Sequence, residues 1–182
     1  MLSPTSGNEL ITADVLGKAG LEEGMKVADL GCGNLGYFSL PAAKAVGKKG
    51  KVYAVDILKS VLESVDSLAK AKGLDNVETV WTNLEVPGAT KIAEGSLDAV
   101  FLVNMIFQSD KDDIVMREAC RLLKSGGKAI IVDWLKVATP FGPPLGDRSN
   151  PEEIKKFASD CGLKLAEEFS AGPYHYGLVF VK

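Results

Sequence analysis

Three glycines and two aspartates carry most of the chemistry that the sequence offers. Gly31, Gly33 and Gly36 stand in a G-x-G-x-x-G spacing within VADLGCGNLGYFSL, directly after a short apolar run. Such a turn tolerates positive φ, lets a ligand approach the backbone and exposes the first N–H groups of a helix. With Asp56 beyond the last glycine as a ribose-binding acid, the spacing also fits a dinucleotide site. The glycines alone do not choose between a dinucleotide and an adenosyl compound.

Asp29, two residues before Gly31, argues against a dinucleotide. A carboxylate beside this turn would repel a pyrophosphate in a partly desolvated cleft. It would attract an ammonium group instead, and S-adenosylmethionine carries an α-ammonium and a sulfonium. Asp56 closes a second apolar run, where it can accept both ribose hydroxyls or cap a helix that begins near Leu58. The two acids therefore favour an adenosyl sulfonium ligand over NAD.

Apolar runs alternate with helical patterns along the chain, which is typical of a parallel α/β sheet. We predict strands, mostly buried on both faces, at Lys26–Gly31, Lys51–Asp56, Val77–Trp81, Leu97–Val103 and Gly127–Trp134. We predict helices between them at Asn8–Ala19, Leu35–Val46, Leu58–Lys72, Ala89–Ala93 (a short one), Lys111–Lys124 and Pro151–Cys161.

Glycines mark the ends of several predicted helices, because they adopt the left-handed conformation of a helix C-terminus without a side-chain penalty. Gly73, the pair Gly126 and Gly127, and Gly162 stand at such positions, and Asn150 is predicted to cap the last helix.

The chain ends in two strand-like runs, Leu163–Ser170 and Tyr174–Lys182, which are separated only by AGP. This spacing is too short for a helical crossover, so we predict an antiparallel hairpin whose last strand runs against the rest of the sheet. A Pro/Gly-rich loop, residues 135–150, follows the fifth strand and is expected to border the ligand site, because ligands bind at the carboxyl edge of such sheets. We expect residues 1–182 to form a single domain.

The succession VADLGCG, GYFSLPAAKAVG, GKVYAVDI, LDAVFLVNMIFQ and LLKSGGKAIIVDW resembles the class I S-adenosylmethionine-dependent methyltransferases. It is most similar to the small-molecule enzymes of the ubiquinone/menaquinone biosynthesis group, over about Gly24 to Trp134. The resemblance implies a Rossmann-like three-layer α/β sandwich with a seven-stranded, mostly parallel sheet and an antiparallel last strand. It also implies S-adenosylmethionine as cofactor and methyl transfer as activity.

The resemblance implies a set of cofactor contacts at or just after the strand ends: Asp29, Gly31, Cys32, Gly33, Gly36, Asp56, Ile57, Asn83, Leu84 and Asn104. Asp29 and the loop would hold the methionine part, Asp56 the ribose, and Ile57 the adenine. Asn83 stands where the family commonly has an acid that accepts from the adenine amino group, and an Asn carbonyl can accept the same bond. The sequence departs from many relatives in its loop, which is one residue longer at Asn34 and Leu35.

Methyl transfer is an in-line displacement, for which a protein mainly positions the reactants and excludes water. The loop 135–150 and the hairpin turn would line the acceptor pocket with Asp133, Trp134, Phe141, Asp147, Arg148, Tyr174, His175 and Tyr176. His175 is a candidate general base, although a His between two tyrosines can also be purely structural. Arg148 would bind an anionic acceptor or pair with a surface acid.

Charge and cysteine usage narrow the classes of partner. A net charge of -3 over 182 residues provides no field that would attract nucleic acid. Three scattered cysteines indicate neither a disulfide framework nor a metal site, and neither an export signal nor a membrane span is recognisable. We expect a cytoplasmic enzyme with a small-molecule acceptor and make no prediction of its oligomeric state. The alternatives are an NAD-dependent oxidoreductase and a non-catalytic adenosyl-binding module.

Overall fold

The computed structural model describes residues 8–109 and 111–182. The stretch Met1–Gly7, where the sequence suggests no export signal, lies outside the described residues. Helices occur at α1 (Asn8–Ala19), α2 (Ser39–Val46), α3 (Lys59–Ala71), α4 (Asp112–Leu122) and α5 (Pro151–Asp160), with short 3-10 turns at Ile106–Gln108 and Leu145–Asp147. Strands occur at β1 (Lys26–Leu30), β2 (Lys51–Asp56), β3 (Val77–Trp81), β4 (Leu97–Val103), β5 (Leu123–Trp134), β6 (Lys164–Ser170) and β7 (His175–Val181).

The seven strands form one sheet in the order β3-β2-β1-β4-β5-β7-β6. Strands β1 to β5 pair in parallel, whereas β7 is antiparallel to both β5 and β6. The predicted five parallel strands, the final hairpin and the reversed last strand are confirmed. Because the parallel strands share one direction, their carboxyl ends meet at one edge of the sheet.

Helices cover both faces of the sheet, as the predicted three-layer sandwich requires. Strand residues alternate between the faces, so Val27 and Ile130 pack with α1 and α2 while their neighbours Ala28 and Ile131 pack with α4 and α5. Helix α3 packs on β2 and β3, on the same face as α2, through a cluster that includes Ala54 and Val65. In the described part of the chain, none of the helices combines the length and apolar character that crossing a bilayer demands.

The short helix predicted at Ala89–Ala93 is wrong. Residues 86–96 form turns and bends, and their backbone groups bond to side chains of α4. The Arg121 guanidinium donates to the carbonyls of Thr90 and Ile92 at 3.1 and 3.4 Å, and Oε2 of Glu118 accepts the Gly88 N–H at 3.3 Å. Side chains that are distant in sequence therefore replace the local helical ladder.

Several predicted boundaries also differ, among them the start of β5, which is Leu123 instead of Gly127. Helix α2 begins at Ser39 instead of Leu35, because Gly33 and Gly36 take left-handed φ values of 61° and 56° and keep the chain in turns. Helix α4 passes directly into β5 at Leu123, so Gly126 and Gly127 do not cap it. The predicted helix ends at Gly73 and Gly162 and the Asn150 cap, whose side chain accepts the Glu152 N–H at 3.1 Å, are confirmed.

Candidate cofactor and acceptor sites

In the glycine turn between β1 and α2, N–H groups that a pyrophosphate would need are hydrogen-bonded within the protein. The N–H groups of Gly31 and Cys32 both donate to the Val55 carbonyl, at 2.8 and 3.0 Å. The Gly33 N–H donates to Oδ2 of Asp56 at 3.3 Å. Phosphate sites depend on N–H groups that point at the ligand. These three positions offer none, which counts against the dinucleotide interpretation.

The longer loop is anchored to α3. The Asn34 carbonyl accepts a hydrogen bond from the Ser64 hydroxyl at 2.8 Å, and the Leu35 side chain is exposed. Because α2 begins only at Ser39, its N-terminus does not lie at the last glycine as it does in a dinucleotide site. The extra residue therefore imitates the dinucleotide spacing without its geometry.

Asp29 is buried beside the turn, with only 2% of its surface exposed. Its Oδ2 accepts the Ser39 hydroxyl at 2.6 Å. Burial raises the pKa of Asp29 to about 6, hydrogen bonds from Ser39 oppose this rise, and the nearby charge of Asp56 adds to it. Burial and the same two carboxylates also raise the pKa of the Cys32 thiol, which stays neutral. A cation in this place would relieve the repulsion between the acids.

Asp56 lies at the end of β2, where the sequence placed it, but it does not cap α3, whose N-cap residue Leu58 has no side-chain cap bond. Its Oδ1 accepts the Leu58 N–H at 3.0 Å in the turn before α3, and its Oδ2 accepts the Gly33 N–H. Each carboxylate oxygen retains a second lone pair, so these bonds leave capacity for a ribose hydroxyl. The Ile57 side chain is 54% exposed at the same edge, and its carbonyl accepts the Trp81 indole N–H at 2.8 Å.

A cavity of about 380 Å³ opens where β1, β2, β3 and β4 end, within the size range of small-molecule sites. Its walls include a majority of the predicted cofactor contacts, namely Gly31, Gly33, Asp56, Ile57, Asn83 and Leu84. Residues that the sequence did not single out complete the walls: Leu58, Val61, Thr82, Glu85, Met105 and Gln108. The predicted contacts that do not line this cavity are Asp29, Cys32, Gly36 and Asn104.

Met105 and Gln108 belong to a short segment that closes the cavity on the β4 side. A Cβ atom on Gly31 would lie 2.6 Å from Cγ of Met105, so the side chain of Met105 packs directly on the turn. The Gln108 amide donates to the Asn104 carbonyl at 2.6 Å. The signal that could have identified this segment is its place after a parallel strand, at the edge where ligands bind.

Two polar atoms near the cavity lack a hydrogen-bond partner among the described residues, Oγ1 of Thr82 and Oδ1 of Asn104. Thr82 is 6% exposed and lines the cavity. Asn104 has a φ of 51°, the one positive φ at a non-glycine position in the described part of the chain. Buried polar groups are normally paired, and backbone strain of this kind concentrates at functional sites. Both atoms fit a polar ligand such as an adenosyl amino acid.

Asn83 uses part of its acceptor capacity within the protein. Its Oδ1 accepts the Glu85 N–H at 2.8 Å, which fixes the amide at the rim of the cavity. A carbonyl oxygen has two lone pairs, so the predicted bond from an adenine amino group remains compatible with this geometry.

The predicted acceptor residues do not form one pocket, because neighbouring residues of β5 and β7 point to opposite faces of the sheet. Trp134 lies against His175, with ring centroids 4.1 Å apart, and next to Phe141 at 6.1 Å; Phe141 in turn meets Tyr174 at 5.3 Å. Asp133 and Tyr176 lie on the other face, where the Tyr176 hydroxyl hydrogen-bonds Ser149 at 2.9 Å. Asp147 ends the short turn Leu145–Asp147.

Arg148 is 4% exposed and organises the loop 135–150 from within. Its Nη1 donates to the carbonyls of Leu135 and Val137, at 2.8 and 2.6 Å. Its Nε and Nη2 donate to the Pro143 carbonyl, at 3.0 and 2.9 Å, and Nη2 also donates to the Thr139 hydroxyl. These bonds occupy all five N–H groups of the guanidinium. No donor is left for an anionic acceptor, and the alternative of a surface ion pair does not match its burial either.

His175 is 6% exposed, and its Nε2 is buried without a hydrogen-bond partner among the described residues. Burial lowers the pKa of His175, and the positive charge of Arg148 lowers it further. The imidazole is therefore neutral at pH 7, which a general base requires. It does not line the 380 Å³ cavity.

The chain is similar to known methyltransferases. A family model described as a methyltransferase domain matches residues 21–162. The ubiquinone/menaquinone biosynthesis C-methyltransferase of Laribacter hongkongensis is 32% identical over 130 residues, covering 70% of this chain and 50% of that protein. The aklanonic acid methyltransferase of a Streptomyces species is 32% identical over 123 residues, covering 66% of this chain and 54% of that protein.

A solved structure agrees along almost the whole chain. The S-adenosylmethionine-dependent methyltransferase from Aquifex aeolicus has a TM-score of 0.86 at 27% identity, covering 98% of this chain and 93% of that one. The chain spans about half the length of the curated relatives it matches. The sheet order, the glycine turn between two acids and these matches lead to one conclusion: the chain belongs to the class I S-adenosylmethionine-dependent methyltransferase family.

Proposed function

We propose that this protein transfers a methyl group from S-adenosylmethionine to a small-molecule acceptor. One observation carries the proposal: the carboxylates of Asp29 and Asp56 flank a glycine turn whose N–H groups at Gly31, Cys32 and Gly33 are already bonded within the protein. Such a turn repels a pyrophosphate and attracts a cationic adenosyl ligand. The family of the chain supports the same activity.

The residues around the cavity would divide the work of binding. The Asp29 carboxylate, oriented by Ser39, would accept from the α-ammonium group, and Asp56 would accept from the ribose hydroxyls. Ile57 and Leu84 would pack on the adenine, and the unpaired Oδ1 of Asn104 would bind near the methionine end. Cys32 and Gly36 would support the glycine turn without lining the cavity.

S-adenosylmethionine supplies a methyl group that is already activated by its bond to a sulfonium sulfur. The acceptor's nucleophilic atom forms a bond to the methyl carbon while the carbon–sulfur bond breaks, and the sulfur keeps the electron pair. The protein therefore needs to align the acceptor with that bond and to exclude water. A base is needed only for an acceptor that must lose a proton, and neutral His175 is the candidate that we propose for this role.

We propose that the acceptor is a small molecule bound on the side of the loop 135–150. The names of the curated relatives refer to ubiquinone/menaquinone biosynthesis and to aklanonic acid. The aromatic cluster of Trp134, Phe141, Tyr174 and His175 supports a ring-containing acceptor, because aromatic side chains pack favourably on such groups. Tyr176, on the opposite face, would not touch the acceptor. Free thiols at Cys32, Cys120 and Cys161 are compatible with the cytoplasmic location that we propose.

Calorimetric titration with S-adenosylhomocysteine and, separately, with NADH tests the proposal. We expect S-adenosylhomocysteine to bind with a dissociation constant in the range of about 1 μM to 1 mM, as for typical enzyme substrates, and NADH not to bind. Binding of NADH alone would refute the proposal in favour of an oxidoreductase. Binding of S-adenosylhomocysteine without methylation of any ring-containing acceptor in a panel of quinols and phenols would favour the non-catalytic module.

A further inference from the structure

Asp133, near the end of β5, is a fully buried carboxylate that the cofactor site does not use. It is 0% exposed. Its Oδ2 accepts the Phe107 N–H at 3.1 Å, and its Oδ1 accepts the Trp134 N–H at 2.7 Å. Burial raises the pKa of Asp133 to about 6, and hydrogen bonds from Trp134, Phe107, Ser149 and Ile106 oppose this rise. At pH 7 the group is mainly an ionised acceptor.

These contacts place Asp133 at both ends of the loop 135–150. Trp134 is the last residue of β5, directly before the loop, and Ser149 is the loop's second-to-last residue before α5. The Ser149 hydroxyl lies near enough to Asp133 to lower the pKa of the carboxyl, and it meets the Tyr176 hydroxyl at 2.9 Å. Asp133 therefore lies between residues at the two ends of the loop.

The contact to Phe107 connects the same carboxylate to the wall of the cofactor cavity. Phe107 is the middle residue of the 3-10 turn Ile106–Gln108, and its neighbours Met105 and Gln108 line the cavity. Met105 packs on Gly31, and Gln108 bonds the strained Asn104. A movement of the 3-10 turn would therefore be transmitted to the glycine turn through the direct contact of Met105 with Gly31.

We infer that Asp133 is a positioning residue that couples the cofactor cavity to the acceptor-side loop, so that filling the cavity holds the loop closed. The inference rests on the proposed function in that the ligand of the cavity is an adenosyl amino acid. A buried charged acceptor suits this role, because hydrogen bonds to charged groups are stronger than neutral ones and a buried carboxylate needs all of them. Coupling of this kind is reciprocal between the two sites.

Proteolysis of the loop in the presence and absence of S-adenosylhomocysteine tests the coupling. Lys136 is exposed within the loop, so cleavage by a lysine-specific protease after Lys136, identified by fragment mass, reports loop opening. In the wild type we expect saturating S-adenosylhomocysteine to slow this cleavage several-fold. In Asp133→Asn, whose amide replaces one acceptor with a donor, we expect about tenfold faster cleavage without ligand and no slowing by it.

Tyr176→Phe is the matched control, because it removes a buried hydroxyl from Ser149 and leaves the two backbone bonds of Asp133 in place. We expect it to keep the wild-type slowing. Wild-type cleavage and wild-type slowing in Asp133→Asn would overturn the inference. Should that variant not fold, as judged by circular dichroism, Ser149→Ala replaces it: loss of the slowing supports the coupling and full retention overturns it.

The outcome can be separated from the proposed function. Calorimetry on the wild type first establishes whether S-adenosylhomocysteine binds. Absence of binding refutes the proposed ligand, yet faster cleavage in unliganded Asp133→Asn than in unliganded Tyr176→Phe would still support the contact between Asp133 and the loop. Binding without any effect on cleavage at Lys136 in the wild type leaves the proposed function intact and overturns the coupling.

Discussion

Asp29 combines burial, a hydrogen bond from Ser39 and a neighbouring acid, and we expect a cationic ligand to stabilise its charge. We predict that Asp29→Asn weakens binding of S-adenosylhomocysteine by about tenfold, since it replaces a charged hydrogen bond with a neutral one. Calorimetry measures the change. Asp66→Asn on α3, an exposed partner of Lys70, is the control with the same substitution. Equal affinity in the wild type and Asp29→Asn would remove Asp29 from the site.

The raised pKa of Asp29 gives the same contact a pH dependence. Below pH 6 the unliganded carboxyl is protonated, and an ammonium ligand favours its ionised form. Binding at low pH must therefore release a proton, so affinity falls as pH falls. We predict that affinity for S-adenosylhomocysteine drops about tenfold from pH 7 to pH 5 in the wild type and stays nearly constant in Asp29→Asn. An affinity that rises in acid would contradict this sign.

Two residues order the loop 135–150: Arg148, which bonds its carbonyls, and Gly142, which allows the Trp134 ring to pack closely. Gly142 has a φ of 92°, and a Cβ there would lie 2.7 Å from two ring carbons of Trp134. We predict that Gly142→Ala opens the loop locally at a cost of about 1–3 kcal/mol and shifts Trp134 emission to longer wavelength, measured with Trp81 replaced by Phe. Gly146→Ala, in the same loop with open space around it, is the control. An unchanged emission spectrum in Gly142→Ala would contradict this prediction, because it would show that the added methyl group does not displace Trp134.

The irregular segment before β4 depends on a pair of charges from α4. Glu118 is 3% exposed, and Arg121 donates to both of its carboxylate oxygens, at 2.8 and 2.7 Å. We predict that Arg121→Met lowers the free energy of unfolding by about 3 kcal/mol, because it leaves a buried carboxylate without its cation. Chemical denaturation measures the loss. The double variant Glu118→Leu with Arg121→Met should recover part of it, and a double variant less stable than the single would contradict this explanation.

At the scale of elements, the strands were predictable and some connections were not. The apolar runs of β1 to β5 and the AGP spacing of the hairpin follow from local pattern, and all of them are confirmed. The segment Ala89–Ala93 is irregular instead of helical because its carbonyls bond to Arg121. Arg121 is about thirty residues away in the sequence, so no local pattern could show this contact. The late start of α2 at Ser39 depends on the left-handed glycines Gly33 and Gly36, whose conformation the spacing alone does not determine.

At the scale of the whole molecule, the sheet decides which predicted site residues can meet. The parallel ends of β1 to β4 bring Gly31, Asp56, Asn83 and Met105 to one cavity from distant parts of the sequence. Strand β7 lies between β5 and β6 and pairs with β5. Because alternate residues of a strand face opposite sides of the sheet, the predicted acceptor residues of β5 and β7 are divided between the two faces. That period of two was visible in the sequence, but pairing of β7 with β5 was needed before it could be applied to His175 and Tyr176.

Ligand-linked stability tests the architecture as one unit, because the cavity exists only when four strands and their loops are assembled. At a concentration one hundred times its dissociation constant, S-adenosylhomocysteine should stabilise the wild type by about 2.7 kcal/mol. For a chain of this length that raises Tm by roughly 5–11 °C. Scanning calorimetry or a fluorescence melt measures the shift, and NADH at the same concentration should leave Tm unchanged.

The Asp29→Asn variant makes this shift quantitative. If its affinity is about tenfold lower, the same ligand concentration stabilises it by about 1.4 kcal/mol, roughly half of the wild-type value. The ratio of the two shifts thus measures the contribution of Asp29 independently of calorimetric titration. Equal shifts in both proteins would mean that the ligand binds without Asp29, and a shift with NADH alone would mean that the glycine turn accepts a pyrophosphate despite its bonded N–H groups.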